Sequence, residues 1–248
     1  MVKTSARWPG PADGAAPVSF CVLGFGDAVH WASLALMESL RARGYRTTGL
    51  LPLAADAQWR HGRWRSERVA QLQGASSYAF PGSALCTTAL PEPHDASAGA
   101  VDVEAVVDSH AVLAIWVDIV VVDALGDPDG TPAPNMGDVA QALGLPVVIA
   151  CADGEDGDEG LQQACQLVSR LRARRLRVAA WVQCARQPLA CVAGIPCVGA
   201  IPPGELHEPV RAARHVDVTR LLGALQAGAD PAVATVSATA RKTGGPAS

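Results

Sequence analysis

Short, uninterrupted apolar runs rich in β-branched residues recur along the chain: "PVSFCVLG" (17–24), "DIVVVDA" (118–124), "LPVVIAC" (145–151) and "LRVAAWVQC" (176–184). Unbroken apolar character predicts strands covered on both faces, as in a parallel sheet. "RTTGLLPLA" (46–54) predicts a further strand and "CVGAIP" (197–202) a short late one. Between these runs polar positions return at helical spacing. Over 31–43, Leu34, Met37 and Leu40 fall on one side and Gly44 marks the stop. Residues 101–115 and 159–175 show similar periodicity, 135–144 fits a helix leading into the strand at 145, and 216–226 a final short helix. Such alternation predicts an α/β fold with a doubly wound, mainly parallel sheet. The ends, 1–16 and 229–248, are rich in Ala, Gly, Pro, Ser and Thr without periodicity and read as flexible tails. A single α/β domain over 17–228 remains, with no internal repeat.

Composition narrows the class. The 248 residues are 49% hydrophobic, enough to bury one sizeable core. A formal charge of −4 gives no general attraction to nucleic acid or an anionic membrane. No apolar run approaches the roughly 18 residues of a membrane span, and the N-terminus lacks the apolar stretch of a secretory signal. The expectation is a cytoplasmic protein with neither a nucleic-acid nor a membrane partner. Seven cysteines, an odd number, sit mostly in apolar segments and without a C-x-x-C; buried reduced thiols are expected rather than a zinc site.

Ligands of such folds gather at the carboxyl ends of the strands, so the first strand–helix junction, "VLGFGDAVHWASLAL" (22–36), is the first candidate site. A phosphate loop curls backbone N–H groups round an anion. A lysine then neutralises the terminal phosphates and a Ser/Thr hydroxyl holds Mg²⁺. Gly24 and Gly26 are present, whereas Trp31 and Ala32 stand at the lysine and hydroxyl positions. By themselves the two glycines describe a tight strand–helix turn.

The succession of segments across roughly 18–226 resembles the dethiobiotin synthetase family. Its phosphate loop, Gly-Thr-x-Thr-x-x-Gly-Lys-Thr, falls without a gap on Gly24, Phe25, Gly26, Asp27, Ala28, Val29, His30, Trp31 and Ala32. "RARGYRTTGLLPLA" (41–54), "DIVVVDALGD" (118–127), "ALGLPVVIA", "LRVAAWVQC" and "GIPCVGAIP" resemble further family segments in order. The resemblance implies a P-loop NTPase-like α/β fold, a homodimer, and ATP, Mg²⁺, CO₂ and 7,8-diaminopelargonic acid as ligands. It also exposes departures. The second family lysine corresponds to Leu51, the adenine-contacting Asn to Cys184 with Gln183 beside it, and small residues of the "EGAGG" loop to Leu125 and Asp127. Asp123 stands where the family has a Glu metal ligand, and Glu67 near its Mg²⁺-binding Asp.

Phosphoryl transfer depends on positioning and charge neutralisation, and both lysines are missing. The reading is a degenerate homologue with no cofactor, ATP and Mg²⁺ being implied by the family alone. It acts by binding a small molecule or by pairing, as a homodimer or as a heterodimer with a paralogue. The alternative is an active synthetase with a rebuilt site or a partner subunit supplying the missing cations. Asp27, Glu67 and Asp123 are candidate oxygen ligands for a divalent cation. Asp27 and His30 are the candidate catalytic groups, the helix N-terminus being expected to depress the His30 pKa. The reading adopted for His30 and Trp31 is a plug filling space left by phosphate. "DGEDGDEG" (153–160) reads as a solvated helix entry, and "QWRHGRWRSER" (58–68) as a mobile surface loop rather than an RNA or partner site.

Overall fold

The computed structural model describes residues 18–60, 62–91, 101–126, 134–152, 158–185 and 191–227. Both predicted tails and Asp127 lie outside them. The apolar runs form the strands β1 (Phe20–Gly24), β2 (Thr47–Arg60), β5 (Ile119–Asp123), β6 (Val147–Ala152), β7 (Val178–Cys184) and β9 (Ile195–Ile201). They lie side by side and parallel in the order β2-β5-β1-β6-β7-β9. Residues of β1, β5 and most of β6 are buried, as strands covered on both faces must be.

Helices α1 (Ala28–Ala42), α4 (Val103–Trp116), α5 (Met136–Leu143), α6 (Asp158–Ala173) and α8 (Val218–Gln226) follow the predicted positions. A capping box at Asn135 and Asp138 starts α5, and Gly144, left-handed at φ 61°, ends it. The predicted alternation is therefore the observed one.

Three differences concern the far end of β2. This strand runs six residues past its predicted end and changes neighbours, from β5 at residues 47–50 to β4 (Cys86–Pro91) beyond. Its tip then pairs antiparallel with β3 (Arg63–Arg65), so residues expected to be a mobile loop form a two-stranded arm. Trp59 and Trp64, cross-strand partners, meet edge-to-face with ring centroids 5.2 Å apart and hold this arm together. After it come α2 (Glu67–Ala75) and the short α3 (Gly82–Leu85), both absent from the hydrophobic pattern because α2 buries only Leu72 and Ala75. Two residues pair as β8 (Cys191–Val192), and the four-residue α7 (Pro209–Ala212) packs on α1.

Cys21, Cys151, Cys184 and Cys197 are buried free thiols, while Cys86 and Cys165 are partly exposed. Burial pushes the Cys21 thiol up to about 12, so it is an inert core group. No helix among the described residues is long and apolar enough to cross a membrane.

Candidate functional site

At the centre of the sheet β1 lies between β5 and β6. Gly24, the last residue of β1, is required there by packing: a Cβ would lie 1.9 Å from the Ala150 carbonyl oxygen of β6. The chain leaves the strand through only three residues, Phe25, Gly26 and Asp27, with Gly26 left-handed at φ 61°. Helix α1 then begins at Ala28, three residues earlier than the periodicity predicted. Two amides of its first turn are engaged within the turn itself, Val29 N–H on the Gly26 carbonyl and Trp31 N–H on the Asp27 carbonyl. Val29, His30, Trp31 and Ala32, the second half of the aligned phosphate loop, are thus helical.

Both flanks of the turn are fastened. The Arg170 guanidinium of α6 sits over the Phe25 ring, 5.6 Å from its centroid. Arg68 of α2 donates to Asp27 Oδ1 at 2.6 Å. Asp27 precedes α1 but makes no side-chain cap; its carboxylate is turned to Arg68 instead.

His30 points inward from the first turn of α1 and is 2% exposed. Its Nδ1 lies 2.5 Å from Oδ2 of Asp123, the fully buried last residue of β5. Its Nε2 lies 2.7 Å from Oε1 of Gln71 on α2. Gln71 presents that oxygen because its Nε2 donates to Glu67 Oε1 at 3.4 Å. Both ring nitrogens therefore face acceptors, and both are satisfied only when both carry hydrogen, as in the imidazolium. Burial is the largest single influence on His30 and opposes this charge, as does Arg68. The hydrogen bond and charge of Asp123, with the Gln71 acceptor, outweigh them and raise the pKa above 6.5. The expected depression by the helix N-terminus is thus overturned: a carboxylate in contact acts more strongly than a terminal dipole. Asp123 Oδ1 is buried without a hydrogen-bond partner among the described residues.

Helix α2 owes its placement to Asp56 of β2. One Asp56 oxygen accepts the Ser66 hydroxyl at 2.6 Å, the other the amides of Glu67 and Arg68 at 2.9 and 3.2 Å. Ser66 in turn caps the amide of Val69. Fixed in this way, α2 directs Arg68 and Gln71, three residues apart, at the turn and at His30. Neither residue was a candidate from sequence. The one local signal was the Ser66 cap before "ERVAQ", which places the helix but not its target.

The remaining candidates scatter. Trp31 is half-buried, edge-on to His207 with centroids 4.7 Å apart, so the imidazole of His30 is the interior filler and the indole covers it. Leu51 is fully buried in the main hydrophobic core. Gln183 and Cys184 are buried neighbours at the end of β7. Glu67 is exposed and meets Asp123 only through Gln71 and His30. Asp27, Glu67 and Asp123 do not form one cluster: among the described residues no three His, Cys, Asp or Glu side chains are grouped to hold a metal ion.

Comparison with known proteins places this geometry in a family. No family model matches the chain. Among curated proteins, the ATP-dependent dethiobiotin synthetase BioD of Ralstonia nicotianae is 31% identical over 218 residues, spanning 77% of this chain and 90% of the relative. The protein of the same name from Xanthomonas euvesicatoria pv. vesicatoria is 30% identical over 193 residues, 68% of this chain and 83% of the relative. Among solved structures, the MinD cell division protein of Aquifex aeolicus matches with a TM-score of 0.50 at 12% identity, covering 83% of this chain and 97% of that one. That likeness concerns the fold alone and agrees with a P-loop NTPase-like α/β architecture. With relatives of this identity and coverage, the chain belongs to the dethiobiotin synthetase family.

Proposed function

We propose that this member of the dethiobiotin synthetase family has given up ATP-dependent ligation and serves biotin synthesis by binding, either a partner chain or a small metabolite. One observation carries the reading: the Asp123 carboxylate, at the family's metal-ligand position, is engaged by His30, the neighbour of the residue at the lysine position. The charges that a nucleotide and its cation would neutralise are neutralised inside the chain.

Supporting residues agree. A triphosphate with Mg²⁺ needs free loop amides, a lysine and a hydroxyl. This junction offers a three-residue turn, Trp31 and Ala32, and the second lysine position is the core residue Leu51. This donor set does not fit ATP and Mg²⁺, and we derive no step through them. Loss of even one oxyanion stabiliser costs about 10²–10³ in rate. Pairing with a second copy or a paralogue is favoured by α4, which is apolar round most of its circumference and exposes Val112, Ile115 and Trp116. The cytoplasm is the compartment proposed for it.

A second reading, an active synthetase with a rebuilt site, is favoured by Arg68, a cation beside the turn that the family alignment did not supply. The two separate in one experiment. Purified chain is incubated with 7,8-diaminopelargonic acid, bicarbonate, ATP and Mg²⁺, and its melting temperature is measured with and without ATP–Mg²⁺. The binding reading expects no dethiobiotin and no nucleotide-dependent shift, since ligand stabilisation requires a real affinity. Product formation or a clear shift overturns it.

A further inference from the structure

Helix α2 is held at its two ends by different means. Its C-terminal end is tied into the sheet. Leu72, its largest buried side chain, sits against the backbone of Gly49, where a Cβ would come within 2.4 Å of it. The Ser77 amide donates to the Thr47 carbonyl at 2.8 Å, and the Thr47 amide donates to the Ser77 hydroxyl at 2.9 Å. The Ser76 and Thr48 hydroxyls share a hydrogen bond of 2.9 Å. Before Leu72 the helix buries no side chain, since Val69 is half-buried and Ala70 exposed. That end is caught from β2 by one carboxylate, Asp56, through the Ser66 hydroxyl and the amides of Glu67 and Arg68.

A soft point lies beside the tied end. Gly74 is a helical glycine with open space where a Cβ would stand. Neither packing nor a left-handed φ requires it, and glycine weakens a helix relative to alanine. Segments with few buried apolar groups open locally, at less than the free energy of global unfolding. The contacts of α2 with the buried centre all come from its polar-fastened half: Arg68 donates to Asp27, and Gln71 meets His30 Nε2. The other imidazole nitrogen faces Asp123. Helix α2 therefore covers the side of His30 turned away from the buried carboxylate.

We propose that α2 is a hinged latch over the His30–Asp123 pair. Asp56 is its catch and residues 74–77 are its hinge. Opening withdraws Arg68 from Asp27 and Gln71 from His30 together, which unfastens one flank of the strand–helix turn and lets water or a ligand reach the imidazole. Hinges of this kind are a few element-terminal residues that absorb the change in backbone angle. The latch goes beyond the proposed loss of ligation and holds whether or not that reading does.

Hydrogen exchange of the intact chain, read by mass spectrometry over residues 25–33 and 66–73, tests it. Asp56→Ala removes the catch and is expected to speed exchange in both stretches by at least about tenfold. Strands β6 and β7 are expected to stay at the wild-type rate. Gly74→Ala stiffens the hinge and is expected to slow both stretches about two- to fivefold. Asp102→Ala, which takes the equivalent cap from α4, is expected to leave both unchanged. If 66–73 quickens in Asp56→Ala while 25–33 does not, α2 frays alone and the proposal is overturned. Acceleration that extends through β6 and β7, or an equal response to Asp102→Ala, overturns it as well. Should Asp56→Ala not fold, Gly74→Ala decides: slower exchange over 66–73 with 25–33 unmoved overturns the latch, and slowing of both upholds it.

Discussion

His30 and Asp123, 93 positions apart in sequence, meet in the interior with Nδ1 and Oδ2 separated by 2.5 Å, and so join α1 to β5. Removing one member of a buried pair leaves the other charge uncompensated, at a cost of about 3–5 kcal/mol. Asp123→Asn and His30→Gln are each expected to lower stability on that scale in urea unfolding. The double variant is expected to lose less than the sum, by about 0.5–3 kcal/mol of coupling. Simple additivity would show that the pair is not an interacting unit.

The same pair sets a pH dependence. The folded-state pKa of His30 is raised above 6.5, so the folded chain binds the His30 proton more tightly than the unfolded chain does. Its contribution to stability is fully present below about pH 6.5 and is lost as pH rises through the raised value. Wild-type melting temperature is expected to fall over that alkaline window more steeply than that of His30→Gln. Parallel pH profiles of the two proteins would contradict this assignment.

The alternating strands and helices were legible in sequence because each carries its own apolar signal, from "SFCVLG" through "LRVAAWVQC". The site was legible by half. Gly24 and Asp123 end strands, and Asp27 and His30 open the helix that follows the first of them, so position alone marks all four. Arg68 and Gln71 were not, because they reach the turn from 41 residues away. Their helix α2 is held by Asp56 and Ser66 rather than by an apolar face. The arm escaped notice for a similar reason. Its pairing rests on Trp59 and Trp64, whereas its arginines read as solvated loop.

Gly24 and Gly26 look equivalent in a G-x-G but do different work. At Gly24 a Cβ would collide with the backbone of β6 at 1.9 Å, so Gly24→Ala is expected to fold poorly or not at all. At Gly26 there is open space and the φ of 61° is the sole constraint. Gly26→Ala is therefore expected to cost about 1–2 kcal/mol and Gly26→Asn less, since Asn tolerates that conformation. Urea midpoints of the three variants test the order; equal effects would mean that the turn, not the strand contact, dictates both.

Relieving Asp27 of Arg68 is the next expected change of binding. Asp27 is largely exposed while its carboxylate occupies Arg68, so the ion pair adds at most about 1 kcal/mol of stability. Asp27→Asn is expected to leave the melting temperature nearly unchanged and to make it newly sensitive to added phosphate. A variant as indifferent to phosphate as the wild type would show that Arg68 is committed to the fold rather than available to an anion.

Restoring the family's second lysine tests how far the old pocket survives. Leu51 is fully buried within the main core, and its strand position pairs with Cys86 of β4. An ammonium placed there finds apolar neighbours, and burying an unpaired charge shifts its pKa down or opens the structure. Leu51→Lys is expected to destabilise the chain by several kcal/mol near neutral pH, less at high pH where the amine is neutral. Adding His30→Gly, Trp31→Lys and Ala32→Thr is expected to bring no ATP-dependent rise in melting temperature, because α1 already begins at Ala28 and its first turn leaves no loop to cradle phosphate. Recovery of nucleotide binding in the fourfold variant would mean that the turn re-forms a phosphate loop once His30 releases Asp123. The present conformation would then be a consequence of that one pair.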